Sequence, residues 1–123
     1  MEYRIDKREK YAIITIEEQK LSTSYSNRLN SDFLSLNTAG IACLILDLSN
    51  VKYIDSSGMS VILIANRLCE LSSGLLILTG LQPFLAKTFS DNKLDTFLHT
   101  QPTVAHAIDH VEHHLSRHPG NPS

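Results

Sequence analysis

The sequence predicts an α/β layer fold, with a mixed β-sheet of four to five strands packed with about four α-helices. The first observation is that strand-like and helix-like segments alternate from about residue 11 to the end of the chain. The second is an unbroken apolar run at residues 41–46, typical of a central strand covered on both faces. The third is that no repeat, low-complexity tract or linker divides the chain. We therefore expect one domain over residues 1–117 and a disordered tail over 118–123.

The first half of the chain contains two strand patterns and one helix pattern. Strands are predicted at residues 3–6 and 11–17, because YAIITIE is rich in β-branched and aromatic residues and the charged DKREK before it is typical of a turn. A helix is predicted over residues 22–36 from apolar residues at helical spacing. That stripe consists of Tyr25, Leu29, Phe33 and Leu36.

The second half begins with the buried strand, predicted at residues 41–48, and a helix over 59–71. The predicted inner stripe of this helix is Val61, Ile64, Leu68 and Leu71. The remaining predicted elements are a strand at 75–79, a helix at 82–90 with Pro83 in its first turn, a short strand at 94–99 and a final helix at 103–115.

Composition and charge exclude several classes of function. Eleven Lys and Arg against 13 Asp and Glu, without a sustained basic stretch, argue against nucleic acid as a partner. The longest apolar run is far too short for membrane insertion, and the charged N-terminus does not resemble a signal peptide, so a cytoplasmic location is expected. Cys43 and Cys69 lie in separate apolar segments and are expected to be buried, reduced thiols.

A serine-rich turn, VKYIDSSGMS at residues 51–60, follows the buried strand and opens the next helix. Asp, Ser and Gly favour turns and helix caps, so plain capping is one interpretation. The capping-box partner is absent, since Met59 and Ser60 stand where Glu or Gln would be expected. A phosphate on a serine here would lie at a helix N-terminus, which favours an anion. Local chemistry therefore leaves both capping and modification open.

The segment LILDLSNVKYIDSSGMSVILIANRL resembles the core of STAS domains, the sulfate-transporter and anti-sigma-factor-antagonist family. It is most similar to their small, stand-alone bacterial anti-sigma factor antagonists. The motifs D-L-S-x-V and I-D-S-S-G fall in register at residues 47–51 and 54–58, and the order of elements agrees over about residues 3–115.

This resemblance implies a binding module that has no catalysis of its own. In the family, the unphosphorylated antagonist binds an anti-sigma factor that is also a serine kinase, and a sigma factor is released to regulate transcription. Phosphorylation breaks the complex, and a metal-dependent serine phosphatase restores it. The alternative within the family is a STAS scaffold or accessory subunit of a stressosome-like or lipid-transport complex, which uses the same turn as a docking surface.

The resemblance also implies roles for individual residues. Ser57 corresponds to the phosphoacceptor, and Ser56 is the second choice. The implied partner-binding residues are Asp55 and Ser56, which shape the loop, Gly58, where a Cβ would crowd the partner, Met59 and Ser60, which begin the contact helix, and Ser22. Many relatives carry G-E-L-D after the second strand, where this chain has residues 19–22, QKLS, so Ser22 replaces the usual acidic group.

Other constellations carry weaker chemistry. His106, His110, His113 and His114 include pairs four residues apart that could chelate an ion, yet no cysteine is near and the helix is terminal, so we expect no metal site. A serine hydrolase would need glycine where Ile54 stands. No phosphate-binding loop is present, and no cofactor is expected.

Overall fold

The computed structural model describes residues 2–117, apart from the side chains of Thr23 and Ser24. Its strands are β1 (Tyr3–Lys7), β2 (Tyr11–Ile16), β3 (Lys20–Leu21), β4 (Cys43–Asp47), β5 (Tyr53–Ile54), β6 (Leu76–Thr79) and β7 (His99–Gln101). Its helices are α1 (Thr23–Thr38), α2 (Ser56–Leu71), α3 (Pro83–Asp91) and α4 (Val104–Arg117). The predicted tail at 118–123 lies outside the described residues.

Five of the strands form a mixed sheet in the order β1-β2-β4-β6-β7. β1 pairs antiparallel with β2, and the other three pairings are parallel. β4 lies at the centre, between β2 and β6. Its side chains are buried on both faces of the sheet, Leu44 and Leu46 on one and Cys43 and Ile45 on the other, which explains why this segment is apolar without interruption. The α/β fold with a mixed sheet is thus confirmed.

Helices cover the two faces of the sheet unequally. α1, α2 and α3 pack on one face, where the predicted α1 stripe is buried in full. On the other face, within residues 2–117, α4 is the one helix that packs against β2, β4 and β6, through Ala107 and Val111. The three helices on the first face bury the larger core, and the serine turn opens one of them.

The predicted strand at residues 94–99 is wrong over most of its length. Residues Leu94–Thr96 form a 3₁₀ turn, and the strand that follows begins only at His99. Lys93 has a left-handed backbone with φ of 61°, and the Leu98 N–H donates to the Leu94 carbonyl oxygen at 3.0 Å. Local backbone hydrogen bonds therefore close this segment into a turn, and only its end reaches the sheet edge beside β6.

The predicted inner stripe of α2 is correct for Val61, which is buried, and for Leu68, which packs against the core, and wrong for its other two residues. Ile64 and Leu71 are exposed, and the buried apolar side chains are Val61, Ile62, Ala65 and Cys69. The apolar residues of α2 occupy more than one side of the helix, so helical spacing alone does not select the inner side. The helix packs with a side that includes the small residues Ala65 and Cys69. It also begins at Ser56, three residues before the predicted start.

A small two-stranded parallel sheet, β3 with β5, is absent from the sequence prediction. Its register pairs Lys20 with Tyr53 and Leu21 with Ile54. The N–H groups of Lys52 and Tyr53 both donate to the Gln19 carbonyl oxygen, at 2.7 and 3.0 Å. Strands of two residues have no periodicity to detect, yet this pair holds the chain beside the start of α2.

The two cysteines are free and buried, as predicted. Burial raises the pKa of the Cys43 thiol and raises that of Cys69 to about 12, so both remain protonated near neutral pH. Within residues 2–117, no helix combines the length and the apolar character that crossing a membrane requires.

Thr79, at the end of β6, is 1% exposed, and its hydroxyl has no hydrogen-bond partner among the described residues. Replacing it with valine keeps the branched shape and removes the buried hydroxyl. We therefore expect Thr79→Val to raise the free energy of unfolding by about 0.5 to 1 kcal/mol in urea denaturation. Thr15→Val, at a partly exposed site in β2, is the control and should change it by less. A loss of stability in Thr79→Val would show that the hydroxyl is satisfied.

Candidate functional site

Asp55 caps helix α2 and organises the serine turn. Its backbone is extended, and its Oδ1 accepts a hydrogen bond from the Gly58 N–H at 2.9 Å. The same oxygen accepts the Ser57 hydroxyl at 2.8 Å. These two donors, in that order, hold the pKa of Asp55 below its usual range. Capping therefore belongs to Asp55, and neither serine is the cap residue.

The two serines of the turn differ in exposure. Ser56 is exposed at the first position of α2, and Ser57 is half-buried at the second. Because the Ser57 hydroxyl donates to Asp55, its oxygen is held in one place in the first turn of the helix. The structure thus places the predicted phosphoacceptor at a helix N-terminus.

Gly58 allows α2 to approach the end of β3. A Cβ on this residue would lie 2.2 Å from the Leu21 carbonyl oxygen and 2.8 Å from Cγ1 of Ile54. The glycine is itself buried, so its close contact is within the chain. Crowding of a partner by a Cβ at this position stays a prediction.

The other predicted partner-binding residues lie on or beside the same turn. Met59 is half-buried and packs against the core, whereas Ser60 is exposed on the next position of α2. Ser22 precedes α1 and follows Leu21, whose carbonyl oxygen lies 3.4 Å from the Asp55 amide nitrogen. The fold therefore brings Ser22 to the start of α2 from a distant part of the sequence.

The histidines of α4 are on the opposite side of the sheet. The Nδ1 atom of His110 lies 3.1 Å from Nε2 of Gln101. The His110 ring meets the His99 ring edge-on, with 5.8 Å between the ring centroids. Burial first, and then neighbouring histidines, lower the pKa of His110. Among residues 2–117 no group of three or more histidine, cysteine, aspartate or glutamate side chains is arranged to hold a metal ion.

Comparison with known families matches the model of the STAS domain to residues 3–107. The chain belongs to the STAS domain family. No curated protein sequence matches this STAS domain.

Solved structures with the same fold include anti-sigma factor antagonists. The anti-sigma-factor antagonist (STAS) domain protein of Planctomyces limnophilus has a TM-score of 0.77 at 16% identity, over 89% of this chain and 96% of its own. The phosphorylated form of SpoIIAA, a Bacillus cell fate determinant, has a TM-score of 0.72 at 21% identity, over 89% of this chain and 98% of its own. A serine-to-glutamate variant of RsbS from Moorella thermoacetica has a TM-score of 0.79 at 24% identity, over 95% of this chain and 99% of its own.

This STAS domain also carries two exposed aromatic residues beside the turn, which the sequence prediction missed. Tyr53 is 55% exposed and Phe84 is 59% exposed, and their rings meet edge-on at 6.1 Å. Gln82 Nε2 donates to the Ser49 carbonyl oxygen at 2.8 Å, which ties the start of α3 to the loop after β4. The available signal was an aromatic residue, Tyr53, that follows the charged Lys52 in the short crossing before α2.

Proposed function

We propose that this STAS domain is an anti-sigma factor antagonist that works as a phosphorylation-switched binding module. In its unphosphorylated form it binds an anti-sigma factor serine kinase in the cytoplasm and releases a sigma factor. The observation that carries the proposal is the Ser57 hydroxyl, held at 2.8 Å by Asp55 in the first turn of α2, within the in-register I-D-S-S-G motif. The module catalyses no reaction itself.

Phosphorylation changes this turn chemically at one atom. The kinase transfers the γ-phosphoryl group of ATP: the bond from Ser57 Oγ to phosphorus forms, the bond from phosphorus to the ADP oxygen breaks, and the hydroxyl proton passes to a base of the kinase. The product carries roughly −1.5 to −2 charges and no longer donates to Asp55. A metal-dependent phosphatase reverses the change by adding water and releasing inorganic phosphate.

The surface around Ser57 is suited to detecting this change. Ser56 and Ser60 are exposed on the same turn, and Met59 between them is half-buried. A partner seated here would lie against the N-terminus of α2. A dianion introduced into that contact would meet any acidic or apolar partner surface unfavourably.

The test is incubation of the full chain with ATP and the host's candidate kinases, followed by mass analysis. We expect one phosphate on Ser57 in wild type and in the matched control Ser56→Ala, and none in Ser57→Ala. Ser57→Asp should bind the kinase about a hundredfold more weakly than wild type, since a like or unpaired charge in an interface costs several kcal/mol.

Two results together would contradict the switch. They are the absence of phosphate with every kinase tried and a Ser57→Asp variant that binds each partner as tightly as wild type. Circular dichroism of Ser57→Ala and Ser57→Asp, matched to wild type, excludes loss of the fold as the reason for lost phosphate or binding.

A second candidate is a scaffold subunit of a stressosome-like assembly. It is favoured by the similarity to a chain in the molecular architecture of the stressosome, which extends over 93% of this chain. Light scattering separates the two candidates. A switch module should form small complexes with a kinase, whereas a scaffold should enter particles of many subunits.

A further inference from the structure

Lys20 is held at the edge of the serine turn by the small β3–β5 sheet. Its neighbour Leu21 points into the core and is fully buried, so the Lys20 side chain, on the alternate side of the strand, is exposed. The buried Tyr25 donates its hydroxyl to the Lys20 carbonyl oxygen at 2.7 Å, which fixes the backbone of the lysine.

The strand that carries Lys20 is in direct contact with the first turn of α2. The Leu21 carbonyl oxygen lies 3.4 Å from the Asp55 amide nitrogen, and it is the atom that a Cβ on Gly58 would meet at 2.2 Å. Lys20 therefore directly precedes Leu21, the residue whose carbonyl oxygen faces both Asp55 and Gly58.

The charge of Lys20 acts on this cap and is not neutralised elsewhere. Its ammonium group forms no ion pair within 4 Å in the described part of the chain. After the two hydrogen bonds described above, its positive charge contributes to the lowered pKa of Asp55. The neighbouring charged groups are Glu17 and Glu18, which line the same surface hollow as Lys20, and Lys52, which precedes β5. Glu17 pairs with Arg4, and the charge of Glu18 acts on Tyr25.

A phosphate on Ser57 would place two anionic groups at one helix start. The modified oxygen loses its hydrogen bond to Asp55, whose carboxylate then repels the phosphate. We propose that Lys20 is the internal counter-ion of phosphorylated Ser57. It stabilises the dianion against Asp55 and keeps the modified turn folded. This assignment rests on the proposed function, because it takes Ser57 as the modified residue.

The experiment introduces phosphoserine at position 57 of the full chain by genetic encoding and follows its titration by phosphorus NMR. The second ionisation of a phosphate monoester has a pKa of about 6. In Lys20→Gln we expect this value to be about half a pH unit higher than in wild type, because a nearby cation favours the dianion. Lys20→Arg should restore the wild-type value, and the difference should shrink in 1 M salt as screening increases.

Lys52→Gln is the matched control, since Lys52 is an exposed lysine that precedes β5, on the other strand of the same small sheet. It should leave the titration of the phosphate unchanged. Equal titrations in wild type and Lys20→Gln, or equal shifts in Lys20→Gln and Lys52→Gln, would overturn the assignment. Because no kinase is used, a failure here is distinguishable from a failure of the proposed function, which is judged by kinase labelling and partner binding.

Discussion

Replacing Gly58 with alanine should lower the free energy of unfolding by about 2 to 3 kcal/mol, although the substitution favours helix formation by itself. The added Cβ would lie 2.2 Å from the Leu21 carbonyl oxygen, a main-chain atom that cannot move aside as a flexible side chain could. The start of α2 must therefore shift away from β3. Urea denaturation followed by circular dichroism measures the loss.

Ser60→Ala provides the control for Gly58→Ala. Ser60 is exposed on the same helix, two residues further on, and its substitution should change the free energy of unfolding by about 0.5 kcal/mol or less. If Gly58→Ala were as stable as wild type, the close approach of α2 to Leu21 would be wrong.

Leu21→Ala should be the more damaging change, lowering the free energy of unfolding by about 2 to 5 kcal/mol. The side chain is fully buried in the larger core, and its truncation leaves a cavity where β3 meets the helices. The same measurement applies, with Leu34→Ala as the control. Leu34 is 55% exposed on α1, and its truncation should cost far less.

The two substitutions together test which atom of Leu21 faces Gly58. The contact is with the carbonyl oxygen, so truncating the leucine side chain gives the alanine at position 58 no additional room. We expect the double variant to lose as much free energy of unfolding as the two single variants together, to within about 0.5 kcal/mol. Rescue of Gly58→Ala by Leu21→Ala would mean that the side chain is the obstacle.

The elements predicted correctly are those whose pattern is both long and unambiguous. The α1 stripe, from Tyr25 to Leu36, occupies one side of a helix whose other positions are mostly polar, so helical spacing defined the buried side. The central strand was evident because a strand covered by helices on both faces of the sheet has no polar face. In both cases a single physical requirement controlled every residue of the segment.

The errors arose where several requirements competed. Helix α2 offers apolar residues on several sides, and tertiary packing, which buries Ala65 in the larger core, selects among them in a way that spacing does not encode. Residues 94–98 have apolar content compatible with a strand, but the left-handed Lys93 and its local hydrogen bonds produce a turn. β3 has only two residues and depends on a partner, Tyr53–Ile54, more than thirty positions away.

The candidate site was located from the sequence, but its internal roles were not. The motif identified Ser57 and its neighbours, because those residues are contiguous in the chain. Asp55 is the cap because its Oδ1 accepts both the Gly58 N–H and the Ser57 hydroxyl, and such three-dimensional contacts are not visible in the motif. The contribution of Lys20 depends on the β3–β5 pairing, and no local pattern around residue 20 indicates it.

The contact between Gly58 and Leu21 has a consequence for how such a module can diversify. Gly58 is required by a contact within the molecule, because any Cβ would collide with the Leu21 carbonyl oxygen. Ser56 and Ser60, at the start of the same helix, are exposed, and this contact does not restrict them. After gene duplication, the exposed positions can therefore change to suit a new partner while the helix start keeps its geometry. A copy that had lost the Ser57 hydroxyl would still be expected to retain the glycine.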